Sequence, residues 1–218
     1  MAVTFTANAR RLGLVSAVGI VVLSVVYAAT LIAGLLSIQS PQQPIGDPWF
    51  AMLEIEIIVM VPLMIALMVA VHAWAPTDAK VFSLTALVFM SLMAGLTFSV
   101  HFVLLAVGRQ TAFSGLAWMP LILSFQWPSV TYGLDILAWD AFFALSVLFA
   151  APVFRGDRLA RSIRVLLVVS GALALAGLSG LFGNMQLRII GVAGYAGVFP
   201  AAVLLLAIRF HRSTPQTA

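Results

Sequence analysis

The sequence contains no cysteine and very little charge. Without cysteine the chain can form no disulfide, no thiolate nucleophile and no cysteine-ligated metal or iron–sulfur site. Charged residues make up 8% of the 218 residues and hydrophobic residues 63%, whereas soluble domains carry about 25% charged and about 45–50% apolar residues. Together with a mean hydropathy of +1.14, this composition argues against an ordinary soluble domain and indicates that lipid surrounds most of the surface.

Several signatures of catalysis and ligand binding are also missing. The sequence has no glycine-rich dinucleotide fingerprint, no phosphate-binding loop, no nucleophile elbow and no zinc-binding HExxH motif. One intramembrane histidine beside scattered carboxylates is a poor pattern for a metal site. The sequence therefore predicts neither a metal nor a cofactor.

Six long apolar segments are present, each close to the roughly 20 residues that a helix needs to cross a bilayer. They cover residues 12–38, 49–74, 81–107, 131–154, 163–182 and 189–210. The first segment is too long for the hydrophobic part of a signal peptide, so we expect it to be retained. The sequence thus predicts an all-α, polytopic transmembrane bundle of six helices, with residues 1–218 forming a single domain in the lipid bilayer.

The basic residues are distributed unevenly between the two faces of this predicted bundle. All but two of the eleven lysines and arginines fall on the side that holds both termini, and the exceptions are Arg109 and Arg188. Because positively charged loops stay in the cytoplasm, we predict cytoplasmic termini and a multi-pass protein of the inner (plasma) membrane. The same distribution accounts for the formal net charge of +4, so we predict no nucleic-acid partner.

Ionisable residues within the spans gather in the opposite, outer half of the membrane. Such residues are costly in lipid and usually have a function. The predicted ligand-binding residues are Glu54, Glu56, His101, Asp135, Trp139, Asp140 and Arg188. We expect further apolar walls of this site to come from Phe98, Phe102, Phe142 and Phe143.

The two glutamates of the second segment are predicted to point in different directions. Two residues along an α-helix correspond to a rotation of roughly 200°, so Glu54 and Glu56 cannot share one face. One should face the bundle and the other a neighbouring helix, the lipid headgroups or a partner subunit. The sequence does not decide which of them faces the interior.

A structural interpretation competes with the functional one. Buried polar residues must be paired whether or not they act on a ligand. In this interpretation Glu56 or Asp135 pairs with Arg188, Asp140 pairs with His101, and the network only closes the outer end of the bundle.

Two other patterns bear on packing. The apolar connection 108–129, with Trp118 and Trp127 as anchors, is predicted to lie in the membrane interface as a lid or short helix that plugs the outer end. Small residues at four-residue spacing predict close contacts between helices. Three such stripes occur: Ser91, Gly95 and Ser99; Ala172, Ala176, Gly180 and Asn184; and Ala193, Gly197 and Ala201.

A family resemblance covers most of the chain. It comes from Ile45-Gly46-Asp47-Pro48 before an acidic residue, from Asp135 with Trp139, and from Gly183-Asn184-Met185 before Gly191. These features resemble a broad, uncharacterised family of six-span bacterial integral membrane proteins. The resemblance implies the fold and supplies no activity. Emopamil-binding, sterol-isomerase-like bundles also place carboxylates and a histidine in an intramembrane cavity, but their order of motifs differs and no residue role is carried over.

Three functional hypotheses follow from the sequence. The leading one is a protein that binds or transports a small amphipathic or cationic molecule, or protons, in an acidic pocket of the outer half. The first alternative is a membrane enzyme that performs acid–base chemistry on a lipid-like substrate, with His101 and a carboxylate as proton shuttle. The second alternative is an accessory subunit whose exposed glutamate pairs with a membrane partner. The sequence also leaves a homo-oligomer open.

Overall fold

The described part of the chain consists of helices and their connections. A computed structural model describes residues 5–40, 43–113 and 115–214, and these residues contain no strand. Six segments are long and apolar enough to cross a bilayer, and we number them spans 1 to 6: Ala7–Ser37, Trp49–Trp74, Thr77–Ala106, Val130–Val153, Arg158–Phe182 and Met185–Arg212. The predicted all-α bundle of six spanning helices is confirmed, although spans 1, 3, 5 and 6 begin about one turn earlier than expected.

Spans 3 to 6 are composite, because short 3-10 or π-helical pieces interrupt the α-helix. Span 3 contains Thr77–Ala79 (3-10) and Lys80–Ala106 (α), and span 4 contains Val130–Ile136 (α), Leu137–Phe143 (π), Ala144–Ala150 (α) and Ala151–Val153 (3-10). Span 5 contains Arg158–Gly177 (α) and Leu178–Phe182 (3-10), and span 6 contains Met185–Arg188 (3-10), Ile189–Val192 (α), Ala193–Val198 (π) and Phe199–Arg212 (α).

Polar residues fix where several spans begin. Thr6, Ser129 and Asp157 occupy the N-cap positions of spans 1, 4 and 5, and each side-chain oxygen accepts a hydrogen bond from the backbone N–H three residues further on. Such caps satisfy one of the N–H groups that have no partner within the helix. These three side chains therefore mark where spans 1, 4 and 5 begin.

The spans follow one another around the bundle. Each span packs against its neighbours in the chain, and span 1 also packs against span 6. The guanidinium of Arg10 donates hydrogen bonds to the carbonyl oxygens of Phe210 at 3.1 Å and His211 at 2.7 Å. The start of span 1 and the end of span 6 therefore lie at the same end of the bundle, which we call the terminal face, and we call the opposite end the distal face. The cytoplasmic location of the terminal face stays a prediction.

Span 4 is the most enclosed of the six. Its most apolar stretch is 61% buried, against 22–39% for the corresponding stretches of the other spans. The hydroxyl of Ser146 donates to the carbonyl of Ala86 in span 3 at 2.8 Å, and the ring of Phe143 meets that of Phe199 in span 6 edge to face at 5.0 Å. Polar groups on span 4 are thus placed in the interior of the protein.

The predicted stripes of small residues do not lie on the packed faces of their helices. Ser91, Gly95 and Ser99 are exposed on span 3, and the other two stripes are exposed apart from Gly180. Close contact instead occurs between spans 5 and 6, where a Cβ on Gly177 would lie 2.9 Å from the Cα of Gly191. Small residues tolerate both lipid and a neighbouring helix, so their spacing alone does not identify the packed face.

The connection from span 3 to span 4 contains the expected short helix, Met119–Ile122, and a 3-10 turn, Thr111–Phe113. Trp118 and Trp127 are exposed, as interfacial anchors would be. The hydroxyl of Thr131 donates to the carbonyl of Ser124 at 2.8 Å, which ties the connection to the start of span 4. Its position within a membrane interface stays a prediction.

Candidate functional site

Five of the predicted site residues meet in one buried cluster near the distal face. They come from spans 2, 3, 4 and 6, and we call them the charge cluster: Glu54, His101, Asp135, Asp140 and Arg188. Their exposed fractions range from 0% for His101 and Asp140 to 7% for Arg188. Ionisable groups this deep in an apolar bundle depend on one another, because lipid offers no alternative partner.

His101 lies between two carboxyl groups. Its Nδ1 is 2.7 Å from Oε2 of Glu54, which is a short hydrogen bond. Its Nε2 is 3.6 Å from Oδ1 of Asp135, beyond hydrogen-bond distance. Among the described residues, Nε2 has no hydrogen-bond partner. The imidazole therefore makes a hydrogen bond through Nδ1, while its Nε2 is a hydrogen-bonding atom that is not used.

Arg188 holds the two aspartates of span 4. Its Nη2 donates to Oδ2 of Asp135 at 2.7 Å, and its Nε donates to Oδ2 of Asp140 at 3.0 Å. The guanidinium also lies over the ring of Tyr132, 4.7 Å from its centroid. Charge-assisted bonds and a cation–π contact together replace the hydration that a buried guanidinium loses.

Two glycines make room for the carboxylate of Asp140. A Cβ on Gly177 would lie 2.5 Å from Oδ1 of Asp140, and a Cβ on Gly191 would overlap the same oxygen. Within the described part of the chain this oxygen has no hydrogen-bond partner. The contact between spans 5 and 6 therefore forms a pocket for one oxygen atom and leaves it without a donor.

Both π-helical segments lie beside the charge cluster. Leu137–Phe143 carries Trp139 and Asp140, and Ala193–Val198 carries Tyr195. The rings of Trp139 and Tyr195 are 5.2 Å apart, so the two segments face each other. An extra residue in a helical turn changes the direction of the side chains that follow, and such turns are common at functional sites.

Glu56 is buried but stands apart from the charge cluster. Its Oε1 accepts a hydrogen bond from the hydroxyl of Thr30 in span 1 at 2.7 Å. In the described chain its Oε2 has no hydrogen-bond partner. Glu54 is thus the glutamate that faces the cluster, and Glu56 faces a neighbouring helix, one of the alternatives expected from their spacing. Both glutamates are buried within this chain.

Two other expectations need correction. Asp140 bonds to Arg188 and not to His101, because the π-helical turn directs its carboxylate toward the contact between spans 5 and 6. Phe102, expected as a wall of the site, is 63% exposed, because its side chain points about 100° around the helix from that of His101. Trp139 is buried and packs against Phe143 and Tyr195, as part of the aromatic core beside the cluster.

Three tyrosines that were not predicted as site residues also lie in this region. The chain has three, and all three lie near the charge cluster. Tyr27 is within electrostatic range of Glu54 and Asp135, Tyr195 is within range of Arg188, and Tyr132 lies beneath Arg188. Their concentration in a chain with few polar side chains is the signal that could have identified them.

The charges of the cluster do not balance. Three carboxyl groups share one guanidinium and one imidazole. Even with His101 protonated, one negative charge remains if every carboxyl group is ionised. Burying an uncompensated charge is very costly, so the cluster has to carry at least one additional proton or bind a cation. With Arg188 and His101 both cationic, one protonated carboxyl group makes the cluster neutral.

The charge cluster, where an open acidic pocket was expected, does not line either of the two cavities at the ends of the bundle. A cavity of about 280 Å³ opens on the distal face, and another of about 410 Å³ lies beside Leu14 and His211 on the terminal face. No member of the charge cluster lines either cavity. Phe125 lines the first, and its ring centroid is 5.8 Å from that of His101. A phenyl ring thus lies between the distal cavity and the cluster.

Comparisons with family models, with curated proteins and with solved structures give no match to this chain. Among the described residues, no group of three or more His, Cys, Asp or Glu side chains has a geometry suited to a metal ion.

Proposed function

We propose that this protein is a proton-binding membrane transport protein of the inner (plasma) membrane. The charge cluster is its proton-binding site, and the distal face is its outer side. Transport of a small amphipathic or cationic molecule would be coupled to the protonation of this cluster. The observation that carries the proposal is the buried imidazole of His101 between Glu54 and Asp135.

Proton transfer across the imidazole balances without any other reactant. A proton moves from the carboxyl group of Glu54 to Nδ1 of His101, and the proton on Nε2 moves to Oδ1 of Asp135. Glu54 ends as a carboxylate, Asp135 as a carboxylic acid, and His101 as its other neutral tautomer. A tilt of the ring that shortens the 3.6 Å separation from Nε2 to Oδ1 is the only rearrangement that the second transfer requires.

Arg188 couples the proton to the packing of the spans. A proton on Asp135 weakens its bond to Arg188, since a neutral acid attracts a guanidinium less than a carboxylate does. Arg188 then relies on Asp140, whose carboxylate lies in the contact between spans 5 and 6. Protonation thereby changes the forces at a helix contact, as a proton-coupled carrier requires.

The two alternative hypotheses have less support. An enzyme needs a substrate atom within hydrogen-bond reach of its acid or base, and His101 has no exposed surface. An accessory subunit was expected to present a glutamate to its partner, and both glutamates are buried within this chain. A fixed structural network is the main competitor, because Arg188 bonds to two aspartates.

Infrared difference spectroscopy of the purified protein in nanodiscs tests the proposal. On a reversible change of pH, we expect a carboxylic acid band to appear and disappear together with histidine ring bands. Glu54→Gln and His101→Gln should remove these changes, and Glu56→Gln, two residues from Glu54 on the same helix, should retain them. A spectrum without changes that depend on His101 would establish a fixed structural network and refute the proposal.

A further inference from the structure

We infer that the distal cavity binds a small zwitterion with an apolar portion, and that Asp47 and Arg109 recognise its two charges. The cavity lies where span 2 begins and span 3 ends. It is distinct from the charge cluster, none of whose residues line it. The inference therefore stands whether or not the cluster moves protons.

The opposite charges at the cavity are the first reason. Nη2 of Arg109 pairs with Oδ1 of Asp47, and their side chains are 39% and 57% exposed. Exposed ion pairs contribute little to stability, so a ligand opens this one at little cost. A ligand anion then bonds to the guanidinium, which suits carboxylate and phosphate groups, and a ligand ammonium group bonds to Asp47. A ligand with only one charge would leave one of these side chains without its partner.

The apolar walls are the second reason. Phe50, Leu104 and Leu123 line the cavity together with Phe125. At about 280 Å³ the cavity is slightly smaller than the roughly 300–1,000 Å³ typical of sites for drug-sized ligands. Apolar walls beside a charged pair match a small amphipathic zwitterion better than a bare ion.

The anchoring of the cavity wall is the third reason. The carbonyl of Ser124 accepts hydrogen bonds from the hydroxyls of Ser129 at 2.6 Å and Thr131 at 2.8 Å. These bonds fix the backbone next to Phe125, so part of the cavity is in place before a ligand arrives. A preformed wall lowers the entropy cost of binding.

Two sources offer this chemistry: the headgroup of phosphatidylethanolamine in the membrane, and a free amino acid with an apolar side chain. In the lipid arm, native mass spectrometry compares retention of phosphatidylethanolamine with that of phosphatidylglycerol of the same acyl chains. In the free-ligand arm, thermal shift compares leucine with leucinamide and N-acetyl-leucine, each of which carries one charge. We expect a preference for the zwitterion in one arm, and the arm identifies the source.

Substitutions test whether the preference for the zwitterion depends on Asp47 and Arg109. Asp47→Asn and Arg109→Gln should each weaken zwitterion binding by about tenfold or more, the effect of losing one charged contact of about 1.4 kcal/mol. Asp78→Asn and Arg155→Gln alter a comparable exposed pair on the terminal face and should have no effect. Arg109→Glu, which leaves two acids at the cavity, should change the preference to leucinamide, and it serves as a second test if Arg109→Gln does not fold. The inference is wrong if neither zwitterion is preferred over its singly charged analogues, or if the preference survives these substitutions.

Discussion

The carboxylate of Asp140 occupies its position because the residues facing it have no side chain. Its Oδ1 lies where a Cβ of Gly191 would be, close to Gly177 as well. Gly191→Ala should therefore displace this carboxylate and cost about 1–3 kcal/mol, the usual effect of overpacking. Gly197→Ala, on the same span with no atom within 4 Å of the added Cβ, is the matched control and should be neutral or slightly stabilising. Thermal unfolding in detergent measures both, and equal effects would contradict the close contact.

Arg188 balances two buried carboxylates, so its loss should be costly. Arg188→Gln should destabilise the protein by about 3–5 kcal/mol, because Asp140 is left without a cation and Asp135 keeps only the imidazole of His101, 3.6 Å away. Adding Asp140→Asn should recover part of this loss, since it removes one of the uncompensated charges. Arg188→Lys should recover little, because an ammonium group lacks the fork that reaches two carboxylates. A double-mutant cycle of unfolding free energies tests the coupling, and strictly additive effects would show that Arg188 and Asp140 do not interact.

The start of span 5 depends on Asp157 in a way that varies with pH. The backbone N–H of Ala160 and the side chain of Arg209 bond to this carboxylate and lower its pKa below the ordinary value. A carboxylate whose pKa is lower in the folded than in the unfolded protein contributes stability above the unfolded pKa of about 3.9. This contribution is lost as the pH falls through the folded pKa. Melting temperatures should therefore fall more steeply below about pH 4 for the wild type than for Asp157→Asn, which cannot titrate.

Two substitutions of the capping residue Asp157 provide the control for this prediction. Asparagine still caps a helix, so Asp157→Asn should unfold near the wild-type temperature at neutral pH, whereas Asp157→Ala should unfold earlier. Parallel curves for the wild type and Asp157→Asn over the acidic range would show that Arg209 and Ala160 do not stabilise the ionised carboxylate.

Sequence alone predicts the spans well because their cause is local. About 20 apolar residues between polar turns give a membrane helix whatever surrounds it. The same reasoning identified Glu54, His101 and Asp135, since buried ionisable residues in lipid are rare. It missed the partner of Asp140, because a π-helical turn rotates that side chain and leaves no simple pattern in the sequence. It also placed Phe102 on the wrong side, since an aromatic ring is equally stable against protein or lipid.

The charged residues of the molecule occur in two settings: buried in the interior, and exposed at the two ends of the bundle. Span 4 is the most enclosed span and carries both Asp135 and Asp140. Exposed ion pairs lie at the two ends, with Asp47 and Arg109 on the distal face. A ligand at the distal cavity would lie one phenyl ring, that of Phe125, from His101. The two proposed sites are therefore neighbours that share Phe125 as a common wall.

Orientation in the membrane is the prediction on which the direction of any transport depends. Because the chain has no cysteine, single-cysteine variants report topology without background. Ala112→Cys lies in the distal connection and Thr214→Cys near the end of the chain, both at exposed positions. With cytoplasmic termini, as the basic residues predict, a membrane-impermeant maleimide should label Ala112→Cys in intact spheroplasts and label Thr214→Cys only after permeabilisation. The opposite result would place the distal cavity in the cytoplasm and reverse the side from which the charge cluster is expected to receive its protons.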